Sequence, residues 1–253
     1  MDNEPLIPKH GGYRNTKTFQ LAELIYDVTV RFCDKFVERR SRTHDQMVQA
    51  ARSGSRNLSE GSMDSATSKK IEMKLTGIAL GSLDELSRDY SAFLRQRGLP
   101  EWAPDHPALV RLKAMRCATL DEFRAWVADE VRRAKQENTD RHQNTETHQD
   151  TDRHQDTDKH GPTQTREGGA SGGQAGRRSS PGVRAGPCLS VSSSPVSPQD
   201  LPAVLAANGA LCLLNLCMYL VKRQLEAQAA AFEQDGGFTE RLYRTRQSRR
   251  KSE

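Results

Sequence analysis

The chain has 253 residues, of which 35% are hydrophobic and 28% charged, and its formal net charge is +5. Its five cysteines form no CxxC pair, and the opening MDNEPLIPKHGGYR lacks the basic-then-apolar order of a secretory signal peptide. These features argue against a disulfide scaffold and a secreted protein. We expect reduced thiols in a cytoplasmic protein of one or two domains.

The first two predicted helices follow each other closely. The first runs from about Thr18 to Arg40, where apolar residues recur at helical spacing. The second opens on RTHDQM, in which Thr43 and Gln46 fit a capping box. Its middle is rich in small residues such as Gly54, which cost a helix stability unless packing compensates. We therefore expect this helix to pack tightly against its neighbours.

The third predicted helix runs from about Ser68 to Arg97, and Gly98 after it is a C-terminal signal. It contains two further glycines, Gly77 and Gly81, and we expect these also to let neighbouring helices approach.

A connector and two shorter predicted helices come next. The connector contains Trp102, and a short helix is predicted near residues 108–116. A longer helix is predicted from Leu120 to about Lys135, with Thr119 as its cap.

Between residues 137 and 200 the composition changes. Residues 139–162 repeat a six-residue unit (TDRHQN, TETHQD, TDRHQD, TDKHGP), and a stretch rich in Gly, Ser, Arg and Pro follows. With so few apolar side chains to bury, we expect a disordered insertion. The repeat places histidines six residues apart with aspartates between them, which is metal-ligand chemistry: His142, His148, His154 and His160. A flexible repeat has no preformed geometry, so we favour a linker and predict no metal site.

The last predicted helix covers about residues 201–235 and contains an uncharged apolar run of membrane-spanning length, residues 203–221. Its apolar residues also follow a heptad seam, which indicates packing against other helices, and we expect no membrane partner: Val204, Ala207, Leu211, Leu214, Met218, Val221 and Leu225. A second apolar side needs further cover, which favours a homo-oligomer: Leu205, Cys212, Leu216 and Leu220.

These elements predict an all-α protein, an antiparallel up-down four-helix bundle with a long disordered insertion before the last helix. We expect a flexible N-terminus at residues 1–16 and the other bundle helices with the connector at 17–136. The insertion occupies residues 137–200, the closing helix 201–235, and a basic C-terminal tail 236–253.

Two spaced blocks resemble a known family signature. The first consists of Ser53, Asn57, Leu58, Glu60 and Gly61, and the second is LTGIALGSLDEL at residues 75–86. Together they resemble the signature of the four-helix-bundle proteins encoded in 23S ribosomal RNA intervening sequences. Those proteins are related to the accessory variability determinant of diversity-generating retroelements. The late helix and tail resemble a subgroup with a four-helix-bundle suffix. Ser59, where the family usually has Ala, and the insertion depart from the pattern.

The resemblance implies a four-helix bundle, a ring-like, pentameric assembly and a basic surface. Its retroelement relative docks with a reverse transcriptase. We therefore keep two hypotheses: a non-enzymatic, homo-oligomeric protein that binds nucleic acid, with RNA favoured, or a protein–protein adaptor such as an accessory subunit of a reverse transcriptase. Glu60 is the competing catalytic candidate, but no base, nucleophile or metal cluster accompanies it, and we expect no cofactor.

Basic residues supply the candidate nucleic-acid contacts because phosphate neutralisation is their obvious use. The alternative is a solvated basic face with no ligand. Base-specific recognition has no support, since only Tyr243 lies within the basic run of the tail. The candidate residues are Arg39, Arg40, Arg42, Arg52, Arg56, Lys69, Lys70, Arg241, Arg244, Arg246, Arg249, Arg250 and Lys251.

Overall fold

The computed structural model describes residues 12–149 and 196–252, and every regular element in these two stretches is helical. A short 3-10 turn, η1, covers Gly12–Asn15. The α-helices are α1 (Lys17–Phe36), α2 (Arg42–Asp64), α3 (Lys69–Gln96), α4 (Pro107–Met115), α5 (Leu120–Gln149), α6 (Leu201–Asp235) and α7 (Phe238–Ser252). Contacts divide the chain into two compact units, Met1–Ala134 with Ser194–Glu253, and Lys135–Ser193.

Four helices of the first unit close into a bundle. The pairs α1–α2, α2–α3, α3–α6 and α6–α1 all pack against each other. Two hydrogen bonds define the direction of α6: Thr18 at the start of α1 bonds to Gln224 at 2.8 Å, and Glu72 at the start of α3 bonds to Gln228 at 3.1 Å. Both partners lie in the C-terminal half of α6, so α6 is antiparallel to α1 and α3. The predicted all-α, antiparallel fold is confirmed.

Helix α6 supplies much of the core. Its heptad seam faces the bundle, and Val204, Leu214 and Val221 have no exposed surface. Leu205, which we expected to need cover from another subunit, is also buried within the chain. Two helices of the same chain cover this part of α6. Helix α4 packs on α6, and α5 meets α6 at Gly209, where an added Cβ would lie 2.6 Å from the Trp126 ring.

Among the described residues one helical stretch, Leu201–Glu240, is long and apolar enough to cross a membrane by length and composition. About two thirds of its most apolar window, 67%, is buried inside the chain. A core helix of a soluble bundle meets the same description, and the expectation of no membrane partner stays a prediction.

The helix starts follow the expected chemistry with one correction. Thr16 and Ser68 cap α1 and α3 through their side-chain oxygens. Helix α2 is capped by Ser41, whose hydroxyl accepts from the His44 amide at 3.2 Å. The predicted capping box on Thr43 is therefore wrong, because Ser41 has the extended backbone of a cap and the helix already begins at Arg42.

The glycines of α2 and α3 do not share one role. A Cβ on Gly54 would lie 2.8 Å from Leu83, and one on Gly61 would lie 3.3 Å from Leu75, so α2 and α3 do approach closely there. A Cβ on Gly77 or Gly81 would meet nothing within 4 Å. The expectation that these two glycines permit close packing inside the bundle is wrong, because they lie on the exposed side of α3.

Two segments have more helix than the sequence predicted. Helix α5 continues past Lys135 to Gln149, into the region assigned to the insertion, and the tail contains α7. In α5 residues 132–137 (RRAKQE) are all good helix formers, and Asp129 pairs with Arg132 one turn on. Residues 150–195 of the predicted insertion, with His154 and His160, lie outside the described residues.

Candidate nucleic-acid interface

The first group of predicted cations lies at the turn between α1 and α2. Arg39 and Arg40 occupy the turn, Arg42 is the first residue of α2, and all three are exposed. Beneath them, the ring nitrogens of the half-buried His44 lie 3.6 Å from carboxylates of Asp34 and Asp45. These two acids reduce the positive potential of the turn without forming an ion pair to any of the three arginines.

Arg52 and Arg56 lie on the outer side of α2. They follow Arg42 by close to three and four helical turns, so the three arginines share one side of the helix over about 21 Å. None of them forms an ion pair with a described residue. Asp45 and Glu60 occupy the same side, so the surface is a mixed stripe with a surplus of positive charge.

The outward position of these arginines follows from what the opposite side of α2 does. Gly54 lies against Leu83 of α3, and the hydroxyls of Ser53 and Ser82 hydrogen-bond at 3.0 Å. Ser55 donates to the Glu23 carboxylate of α1. Small residues therefore fix the inner side of α2 against both neighbours, and the long basic side chains are left facing solvent.

Lys69 and Lys70 are not brought to the first group. They begin α3, which lies a full length of α2, about 35 Å, from the α1–α2 turn. Lys69 also pairs with Glu72 at 3.0 Å and is partly buried, so its charge is largely neutralised within the chain. Lys70 is exposed.

Helix α7 carries the basic residues of the tail. Since α6 runs toward the start of α3, α7 begins at the same end of the bundle as Lys70. The side chains of Arg244, Arg246 and Arg250 are exposed. The remaining three tail candidates, Arg241, Arg249 and Lys251, have helical backbone, and their side chains lie outside the described part of the structure.

One cation near α2 was missed by the sequence reasoning. Arg14 is exposed on η1, which packs against α1 and α2, and its backbone carbonyl accepts from the Gln20 side chain at 3.0 Å. The sequence signal was the cap Thr16, which binds the Tyr13 carbonyl at 2.6 Å and so fixes the preceding turn.

Other reactive groups within residues 12–149 and 196–252 offer no competing centre. Within these ranges there is no group of three or more His, Cys, Asp or Glu residues that could hold a metal ion. Four cysteines in these ranges are free thiols. Burial raises the pKa of Cys33 and of Cys217 to about 12, so both remain protonated and unreactive at neutral pH.

Comparisons with protein-family models, with curated proteins and with solved structures returned no match to this chain. The resemblance to the intervening-sequence proteins therefore rests on the two sequence blocks and stays a prediction.

Proposed function

We propose that the chain is a non-enzymatic, homo-oligomeric helical bundle that binds nucleic acid, RNA in particular, through its basic surface. The observation that carries the proposal is the set of exposed arginines on the outer side of α2, Arg42, Arg52 and Arg56, none of which is neutralised by an ion pair to a described residue. Charge of this kind binds phosphates and releases counterions.

The interface supports contact with the backbone rather than reading of bases. The exposed stripe on α2 contains no aromatic side chain, which is the usual platform on which proteins stack bases. Tyr243 of α7 is 63% exposed and is bonded to Gln247. We expect weak sequence preference and a steep dependence on salt.

We place the proposed contact between copies of the chain on the outer side of α3. Ile71 and Ile78 are 46% and 43% exposed there, next to Gly77 and Gly81, whose missing side chains leave room for another helix to approach. Helical glycines cost about 0.5–1 kcal/mol each relative to Ala, and no contact within the described bundle compensates for these two. Lys74 and Glu85 flank the surface with opposite charges, so a second copy of the chain can complement it.

The binding test replaces Arg52 and Arg56 by Gln and follows single-stranded RNA by filter binding at several salt concentrations. Each lost phosphate contact should flatten the slope of log K against log salt by about 0.7, and the pair by about 1.4. Removing residues 238–253 should flatten it further.

The matched control replaces Arg124 and Arg132 by Gln, which removes the same charge. Both are exposed but already paired, with Asp121 and Asp129 one turn away, so RNA affinity should change little. Equal losses in the two double variants would show that only net charge matters. Absence of RNA and DNA binding at low ionic strength would contradict the proposal and favour the protein adaptor, whose partner affinity should survive Arg52→Gln and Arg56→Gln.

A further inference from the structure

A cavity of about 780 Å3 opens between α1, α4 and α6, away from the basic side of α2. Cavities of roughly 300–1,000 Å3 are typical of small-molecule sites. The floor is formed mainly by leucines of three helices: Leu21, Leu24, Leu109, Leu112, Leu211 and Leu220. Leu24, Leu109 and Leu112 are each buried, so the bundle holds this floor in place.

Three exposed cations line the same cavity, Lys17, Lys113 and Arg116. Lys17 bonds to the Gln20 amide at 3.2 Å and Lys113 donates to the Pro104 carbonyl at 2.6 Å. None of the three forms an ion pair within the described chain. Among the described lining residues Glu101 is the one acid, so the lining has a net positive charge.

Arg116 stands out by its backbone as well. It caps α4 with φ 50° and ψ 46°, and it is the one non-glycine residue of the described chain with positive φ. Glycine is the usual residue at a left-handed helix cap because a side chain there is strained. Arginine at this place gives up backbone stability, and it puts a cation beside the cavity.

From this combination we infer that the cavity binds a free long-chain fatty acid. The alkyl chain lies on the leucine floor, and the carboxylate lies beside Lys113 and Arg116, which are three residues apart at the end of α4. An apolar floor together with cations in the lining matches an anion that carries one alkyl chain, because the floor can bury the alkyl chain and a cation can pair with the carboxylate. The site is separate from the proposed RNA surface, and either can fail without the other.

Trp102 makes the site measurable. Trp102 lines the cavity, and its ring stacks on the His106 ring with 4.0 Å between the ring centroids. Trp126, the other tryptophan of the chain, is 2% exposed and is not among the lining residues. The purified full chain is titrated with dibromostearate below its micelle concentration, and bromine quenching of tryptophan fluorescence is recorded. We expect saturable quenching with one acid per chain, and Trp102→Phe should abolish it.

Competition defines the ligand class. Hexadecanoate should displace the brominated acid, and shorter acids should compete more weakly by about tenfold for every two carbons removed. The methyl ester of hexadecanoate, which lacks the charge, should compete at least about fivefold more weakly. Equal competition by ester and acid, or unchanged quenching in Trp102→Phe, would overturn the inference.

Two variants test the cations. Lys113→Gln and Arg116→Gly should each weaken binding about fivefold, and Arg116→Gly should also raise the unfolding midpoint because it relieves the left-handed backbone. The control is Arg88→Gln on α3, an exposed cation paired with Asp84, which should leave binding unchanged. Equal weakening by the control, or full binding by both cavity variants, would overturn the assignment.

Two other occupants give distinct results. If a second copy of the chain covers the cavity, the apparent affinity for the acid falls as protein concentration rises. If the surface recognises membranes, the protein floats with phosphatidylglycerol vesicles as readily as it binds the free acid. We expect neither, and either result would overturn the inference.

Discussion

Two sides of the bundle are built from residues of different size. Between α2 and α3 several of the residues that α2 contributes are small, and Gly54 lies so close to Leu83 of α3 that a Cβ would sit 2.8 Å away. On the side formed by α1, α4 and α6 the facing residues are leucines, and the helices leave a cavity of about 780 Å3. Both sides belong to one compact unit with a shared core.

The difference shows how residue size and helix length set the distance between helices. The distance between the axes of two packed helices depends on the side chains at the contact. Small residues shorten it because they let the ridges of one helix enter the grooves of the next. On the other side α4 has 9 residues and α6 has 35, so α4 covers only part of the apolar surface of α6. Leu216, at the uncovered part, is 51% exposed.

The largest expected effect comes from adding volume on the tight side. Gly54→Val should destabilise the protein by about 3 kcal/mol, because its Cβ alone would lie 2.8 Å from Leu83, which has no exposed surface. Urea unfolding followed by circular dichroism measures this change. The matched variant is Cys212→Leu, which adds volume at the cavity, where Cys212 is only half-buried. It should change stability by less than about 0.5 kcal/mol. Similar losses in the two variants would remove the contrast between the sides.

A second prediction concerns what holds α4 in place beside the cavity. Arg111 of α4 forms a two-point ion pair with Glu130 of α5 at 2.6 and 2.5 Å, and Glu130 is 6% exposed. Arg111→Met should cost about 2 kcal/mol. That is below the roughly 3–5 kcal/mol of a fully buried pair, because the Arg111 side chain is 42% exposed.

The control for the ion pair is the double variant Arg111→Met with Glu130→Met, which removes the buried charge together with its partner. It should recover most of the stability, since the loss comes from leaving a carboxylate unpaired. If the double variant is no more stable than Arg111→Met, α4 is held by something other than this pair.

A third prediction uses the glycines that face outward. Gly77→Ala and Gly81→Ala should each stabilise the isolated protomer by about 0.5–1 kcal/mol, because Ala is the better helix former and open space surrounds both sites. The same changes should weaken the proposed oligomer. Light scattering of the wild type should give a mass several times 28.3 kDa. Light scattering of the two variants should give a smaller mass. A monomeric wild type at micromolar concentration would contradict the oligomer.

The sequence predicted the bundle well because its strongest signals are local and periodic. The heptad seam of α6 and the small residues around Gly54 both predicted packing against other helices, and the structure agrees with each. The direction of Gly77 and Gly81 was missed because the buried side of α3 includes Thr76 as well as Ala79 and Leu83, so its hydrophobic pattern is ambiguous.

The features of the candidate sites also differ in whether one helix or several separate segments determine them. Exposure of Arg52 and Arg56 follows from the period of one helix, so it could be predicted. The separation of Lys70 from the α1–α2 turn follows from the predicted up-down order, because the whole length of α2 lies between them. The cavity joins Leu21, Leu109 and Leu220, which three separate segments contribute, and no local pattern indicates that they meet.

The smallest expected effect is a pH dependence at the start of α4, on the cavity side. The His106 Nδ1 accepts from the Ala108 amide at 3.3 Å, which requires the neutral ring. Burial and the nearby Arg111 lower the pKa of His106 from its ordinary value of 6.5, although Glu130 and Asp105 oppose the shift. The unfolded chain therefore binds the proton more readily than the folded chain. The stability from this cap is complete above about pH 6.5 and is lost as the pH falls below that value toward the lower pKa of the folded state.

The variant His106→Asn tests this pH dependence, because it keeps an acceptor at the cap of α4 and removes the titrating ring. Urea unfolding at pH 7 and pH 5 should show a smaller loss in the variant than in the wild type. An equal loss in both would mean that the acid sensitivity of the bundle arises elsewhere, and that the cap of α4 does not depend on the charge of His106.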